Sequence, residues 1–202
     1  MFAGLNPPYS TIVADPPWDY GSTFTPKPAG DEWQKGAKCR YGVMSPGAIA
    51  ALPVPTLRPN TGHLWIWTTH RFMVDAHSIA VAWGYTPKTI LTWGKVQPDG
   101  APSMKTGHWL RSATEYALLA VRGAVPRKSS AAYPTLMLGP RLPHSVKPAA
   151  FGDLVERISP GPYLEMFARA PRLGWDSWGH GYEMPEVPSV RPGERPDERI
   201  IG

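Results

Sequence analysis

Apolar, β-branched and aromatic residues gather in five short runs along the chain, at 11–14 (Thr-Ile-Val-Ala), 63–69 (His-Leu-Trp-Ile-Trp-Thr-Thr), 89–96, 115–121 and 163–168. Runs of this length, bounded by turn-forming residues, read as strands. Between the second and third, Phe72, Ala76, Ile79, Ala80 and Trp83 recur at helical spacing, and Gly84 follows as a stop signal. Another helix begins at Pro148, where proline is tolerated in the first turn, and aligns Phe151, Leu154, Val155 and Ile158 on one stripe. A shorter helix is expected over 45–52. Strand and helix alternate, which predicts an α/β sheet with helices on both faces. The runs at 89–96 and 115–121 have no helical pattern between them and are expected to pair antiparallel at one edge.

Two irregular stretches, 19–40 and 97–114, are rich in Gly, Pro, Ser and Lys and exceed the usual length of a connection in a compact domain. The second holds Lys105, His108, Trp109 and Arg111, side chains that can stack on bases or bind phosphates. It reads as a substrate loop, with a tryptophan plug over the sheet edge as the alternative. From Glu183 onward the chain is Pro-rich and charged without apolar periodicity. The expected organisation is one folded domain over 1–182 and a disordered or loosely docked tail over 183–202.

At 202 residues and 42% hydrophobic the chain suits one domain with a sizeable core. Cys39 is the only cysteine, which excludes a disulfide framework and a cysteine zinc site and fits a reducing compartment. No metal is called for. No long apolar run and no leader-like start is found, so the expectation is a soluble protein in the cytoplasm of a bacterial or phage-infected cell, with no membrane partner.

The net charge of +5 is uneven. Between Lys88 and Lys147 stand nine Lys or Arg, including Arg127 and Lys128, against Asp99 and Glu115; that segment sums to +7 and the remainder to −2. A basic middle on a neutral-to-acidic frame is the footprint of a polyanion such as nucleic acid, or else an ordinary solvated surface.

Directly behind the first strand run stands Asp15-Pro16-Pro17-Trp18. The exocyclic amine of adenine is a poor nucleophile because its lone pair is delocalised into the ring. A catalyst must draw on its hydrogens while aligning it with a methyl donor. Asp15 can accept one N–H. Prolines lack backbone donors, so the carbonyl of Pro16 or Pro17 can take the other. Trp18 offers a flat face for a base removed from its stack, an interaction worth about 1–3 kcal/mol. The bland alternative is a strand-ending turn followed by a core tryptophan. Neither a Walker-type phosphate loop nor Gly-x-Gly-x-x-Gly occurs, and there is no internal repeat.

Further motifs follow in order: Tyr41-Gly42-Val43-Met44-Ser45, His63 to Trp67, Thr106-Gly107-His108-Trp109 with Glu115 to Gly123 behind it, Ser145-Val146-Lys147-Pro148, Glu156 to Gly161, Glu165-Met166-Phe167-Ala168-Arg169, and Gly174-Trp175 with Trp178-Gly179-His180. Together with residues 14–18 they resemble, over about Ser10 to Tyr182, the adenine-N6 methyltransferase family of the messenger-RNA methyltransferase catalytic subunit and its small bacterial and phage members.

The resemblance implies a Rossmann-like methyltransferase fold in permuted order, with the catalytic motif ahead of the segments that bind S-adenosylmethionine. It places Lys147 near the donor's carboxylate and Arg169 near its ribose, with Glu165, Phe167, Gly179 and His180 in the same site. In this family a Phe-Ala-Arg turn replaces the glycine-rich one. Tyr41 matches a position near the target base. Relatives carry Gly-Asn where this chain has Gly179-His180, and a longer segment where only fourteen residues precede Asp15. The loop over 19–40 is extended. The expected reaction is in-line methyl transfer to adenine in nucleic acid, DNA favoured over RNA. Other classes left open are a catalytically silent nucleic-acid-binding partner subunit and an amine methyltransferase acting on a small molecule or protein. Homodimerisation or pairing with a second subunit is equally open.

Overall fold

The computed structural model describes residues 2, 4–20, 43–104, 109–125, 128–143 and 146–179. Of the expected site residues, Tyr41, Lys105, His108, Arg127 and His180 lie outside these, as does the expected tail.

Seven strands form one sheet: β1 (Thr11–Ala14), β2 (Gly62–Thr68), β3 (Thr86–Val96), β4 (Thr114–Arg122), β5 (Leu136–Pro140), β6 (Tyr163–Met166) and β7 (Trp175–Trp178), in the spatial order β5-β3-β4-β2-β1-β6-β7. β1 pairs parallel with β2 and β6, β6 with β7, and β3 with β5, whereas β4 is antiparallel to both β2 and β3. Among the described strands β4 alone is therefore reversed. The carboxyl ends of the other six meet the start of β4 at one end of the sheet.

Side-chain alternation sorts the central strands onto two cores. Ile12 and Ala14 of β1, Leu64 and Ile66 of β2, Leu118 and Ala120 of β4, and Leu164 and Met166 of β6 face one core, which α1 (Pro46–Ala50) and α2 (Met73–Ala82) cover through Ile49, Ala76, Ile79 and Ala80. Val13, Trp65, Trp67, Leu91, Trp93 and Ala117 face the other, covered by Phe151 and Val155 of α3 (Ala149–Ile158). Helices on both faces, the two longer helices and all five expected strands are thus present. Ser45 caps α1 by accepting the Ala48 N–H at 3.2 Å. Gly84, at φ 81°, takes the left-handed conformation that ends α2.

The structure corrects the expectation about the sheet edge. The antiparallel pair β3–β4 lies inside the sheet, because β5 adds outside β3 and β4 also pairs with β2. β5 and β7 escaped the pattern reading. Leu136–Pro140 ends in Gly-Pro, and Trp175–Trp178 holds no β-branched residue, so neither shows a strand signature. β6 stops at Met166 because Phe167 turns into the left-handed region at φ 63°.

Candidate active site

Asp15 is the first residue past β1 and remains fastened to the sheet, its N–H donating to the Met166 carbonyl at 3.3 Å. The rigid turn behind it is closed locally: the Trp18 N–H donates to the Pro16 carbonyl and the Met44 N–H to the Pro17 carbonyl, both at 2.9 Å. Pro16 is buried and Pro17 half-buried. Each carbonyl oxygen has a second lone pair, so the expected acceptor role survives only on an oxygen already holding one bond.

Trp18 does not stand open as a platform. It is 7% exposed, stacks on Phe72 with ring centroids 4.9 Å apart and planes 11° off parallel, and donates its indole N–H to the Trp67 carbonyl at 3.1 Å. An indole that reaches a buried carbonyl satisfies both its apolar body and its polar tip, and this draws it into the core.

Around Asp15 runs a row of alternating charges. The Lys147 ammonium donates to Asp15 Oδ2 at 2.7 Å and lies 3.6 Å from Glu115 Oε2, while Lys95 is ion-paired with Glu115 Oε1. The row rests on indoles: Lys147 Nζ is 5.3 Å from the Trp67 ring centroid and Lys95 Nζ 4.4 Å from that of Trp93. Charges taken partly out of water need partners, and the ring faces add cation–π attraction. The topology produces this row. Glu115 is the second residue of the reversed β4, opposite Trp93 of β3, so its carboxylate comes to the end where β1 delivers Asp15. Glu165, beside Val13 in the register, joins them. Burial first, and then the negative charge of Asp15, push its carboxyl up to about 7, against the opposing pull of Arg172 and Lys147.

Phe167, in its left-handed turn, and the exposed Arg169 follow Glu165 at the same end. Gly179 packs on this turn so closely that a Cβ would sit 2.5 Å from the Ala168 carbonyl oxygen, and the Ala168 N–H donates to the Trp178 carbonyl at 3.1 Å. Gly179 therefore holds the turn's shape through close backbone approach.

Trp109 is 96% exposed and Leu110 89%, so this tryptophan covers no sheet edge, contrary to the plug alternative. Arg111 is exposed on the same loop, a few residues ahead of Glu115. Lys128, expected at the substrate, lies away from Asp15. Because β4 is reversed, the chain leaving it emerges at the far end of the sheet. Lys128 there donates to the Tyr163 hydroxyl at 3.1 Å, at the start of β6.

The pattern reading missed Lys95, Glu115 and Tyr20. A charged residue inside an otherwise apolar strand run was the available signal for the first two. Among the described residues no cluster of three or more His, Cys, Asp or Glu suited to a metal is present, and no helix is long and apolar enough to cross a membrane.

A rigid acid-Pro-Pro turn at the tip of a central strand, next to a second strand tip with a left-handed turn, is one arrangement in which an amine and a group donor can be brought together. The family model MT-A70 matches residues 9–181, almost all of the described chain. The chain belongs to the MT-A70 family. Its mixed sheet is accordingly a Rossmann-like methyltransferase fold. Among relatives of this MT-A70 chain, the type II methyltransferase M.MunI of Mycoplasma is 30% identical over 184 residues, 85% of this chain and 76% of that protein. A Drosophila N(6)-adenosine-methyltransferase MT-A70-like protein is 27% identical over 177 residues, and the human N(6)-adenosine-methyltransferase catalytic subunit METTL3 26% identical over 164. The MT-A70 chain spans 26% of the length of each of these two.

Proposed function

We propose that the sheet end bearing Asp15 transfers a methyl group from S-adenosylmethionine to the exocyclic amine of adenine in nucleic acid, with DNA favoured over RNA. Membership of the MT-A70 family and the names of the relatives support the reaction class: the chain is an adenine-N6 methyltransferase. The preference for DNA rests on M.MunI, a type II methyltransferase, being matched over most of both chains. The observation that carries the mechanism is the placement of Asp15 on a proline-stiffened turn, with Lys147 on one carboxylate oxygen.

The residues present fit the donor. S-adenosylmethionine supplies an electrophilic methyl group on a sulfonium and brings a carboxylate, an ammonium, a ribose diol and an adenine. Lys147 is a cation for the carboxylate, Glu165 an acceptor for the ammonium or diol, and the Phe167–Arg169 turn lies at the tip of the adjoining strand. Asp15 accepts one amine hydrogen of the target adenine and the Pro17 carbonyl, through its second lone pair, the other. Both acceptors are held by the sheet before substrate arrives, so catalysis comes from orientation and preplaced dipoles. Lys147 fixes the carboxylate in register with the turn. The net positive charge of the segment from Lys88 to Lys147 favours a polyanion as partner.

Incubation with labelled S-adenosylmethionine and a panel of single- and double-stranded DNA and RNA, followed by digestion and mass identification of the nucleoside, tests the reading. N6-methyladenine is expected, more from DNA than from RNA. Label on another nucleoside, or on none, contradicts it.

A further inference from the structure

We propose that Tyr20, two residues beyond the buried Trp18, presents the aromatic face on which the target adenine stacks. The inference rests on the reading of this end of the sheet as an adenine methyltransferase site and names the residue that grips the base there.

The starting observation is a mismatch between need and supply. A base taken out of its stack needs a replacement face, yet the indole of the Asp15-Pro16-Pro17-Trp18 turn is committed to Phe72 and to the Trp67 carbonyl. On the same segment the next aromatic ring is Tyr20, and it is 45% exposed.

Its position is fixed on several sides. The ring meets Phe72 edge to face, centroids 5.0 Å apart and planes at 77°. Its hydroxyl is 3.2 Å from Thr69 Oγ1, just past β2, and its carbonyl accepts from Arg71 Nη1 at 2.6 Å. The Arg71 guanidinium lies 5.8 Å from the Tyr20 centroid and 5.5 Å from that of Phe72. Trp18, Phe72 and Tyr20 thus form a ladder of rings leading from the core to the surface, in which the buried indole seats Phe72 and Phe72 seats the exposed phenol.

The hydroxyl also feels the charged row. The hydroxyl's pKa is raised, mainly by burial, and the charges of Glu115 and Asp15 push it further while Lys147 and the Thr69 bond act the other way. A ring fixed beforehand loses little freedom when a base settles on it. Trp109, 96% exposed on its loop, has more to lose.

The test compares wild type with Tyr20→Phe, Tyr20→Leu and Tyr20→Ala, using single-stranded oligonucleotides that hold one adenine in randomised flanks. Stacking worth about 1–3 kcal/mol per base corresponds to a rise in oligonucleotide KM of roughly 5- to 150-fold in Tyr20→Ala. Tyr20→Phe should stay near wild type. Tyr20→Leu, which keeps apolar packing on Phe72, should behave like Tyr20→Ala, and S-adenosylmethionine affinity should not change in any variant. An unchanged KM in both Tyr20→Leu and Tyr20→Ala overturns the proposal, as does a fall in donor affinity matching the rise in KM.

A second readout does not depend on turnover. With 2-aminopurine in place of the adenine, the saturated Tyr20→Ala complex should be brighter than the wild-type complex, because a stacked ring quenches the probe. Equal brightness overturns the proposal even if wild type methylates. A wild type that fails to methylate but shows the brightness difference retains the stacking role and removes the reaction.

Discussion

The ammonium of Lys147 stands 2.7 Å from Oδ2 of Asp15, although 132 residues separate the two in the chain. Lys147 immediately precedes Pro148, which caps α3, and Asp15 follows β1, so the contact joins the helix on one face of the sheet to the tip of its central strand. Lys147 is also 3.6 Å from Glu115 Oε2. One cation therefore serves two acids, and the resemblance that assigned it to the donor's carboxylate covered only part of its surroundings.

Lys147→Ala should consequently impair both donor binding and turnover. Loss of the contact lets the Asp15 carboxylate drift, and a misplacement near 1 Å can cost about 100-fold in rate. Lys147→Arg should recover part of kcat. Donor titration by calorimetry and single-turnover kinetics check this; unchanged values of both in Lys147→Ala would remove the residue from the site.

Glu115→Gln should destabilise the fold as well as slow the reaction. Lys95 is 7% exposed and Glu115 21%; removing one partner of a fully buried pair typically costs about 3–5 kcal/mol, and this partly exposed one should cost less. The double variant Lys95→Met with Glu115→Gln should regain much of that loss, since it leaves no buried charge without its counterpart. Urea midpoints of the two single variants and the double variant measure the coupling.

Trp18→Ala should act through the core. Truncating a buried Trp typically costs about 3–5 kcal/mol, and here it also removes the support of Phe72 and hence of Tyr20. The expected signature is a lowered urea midpoint together with weakened oligonucleotide binding. A variant of full stability that has lost only base binding would return Trp18 to the surface role its motif suggested.

The sequence pattern located β1, β2, α2 and α3 because each is long or apolar enough to show its period. The Asp-Pro-Pro-Trp motif singled out Asp15, whereas Lys147 came from the family resemblance. The pattern passed over β5 and β7, whose signals are weak, and so placed β3 and β4 at the wrong position in the sheet. The direction of β4 was decisive for the site: reversal brings Glu115 to the catalytic end and carries Lys128 to the other. The missing helix between β3 and β4 pointed to their antiparallel pairing, which the structure has, but no local pattern encodes the further pairing of β4 with β2 that sets the pair inside the sheet. The burial of Trp18 is likewise set by Phe72 and the Trp67 carbonyl, partners about fifty residues away.

The buried His63 and the half-buried Glu165 give opposite pH responses. His63 is 3% exposed, lies 2.9 Å from Ser159 Oγ through Nδ1, and is held below its ordinary value near 6.5 by burial. The unfolded chain then binds the proton more readily, so His63 contributes full stability above about pH 6.5 and loses it as pH falls below that. Glu165 has the reverse sign: raised from 4.5 to about 7, it favours the fold at low pH and loses that contribution as pH rises through 7. Urea titrations from pH 5 to 8 should show the acid loss diminished in His63→Gln and the alkaline loss diminished in Glu165→Gln. Donor affinity should rise with pH through 7 in wild type and lose that dependence in Glu165→Gln.

The central claim is that the carboxylate of Asp15 accepts one amine hydrogen of the target adenine. Asp15→Ala, assayed with labelled S-adenosylmethionine and DNA, should yield no N6-methyladenine by mass analysis while still binding the donor in a titration. N6-methyladenine formed by Asp15→Ala at the wild-type rate would contradict it.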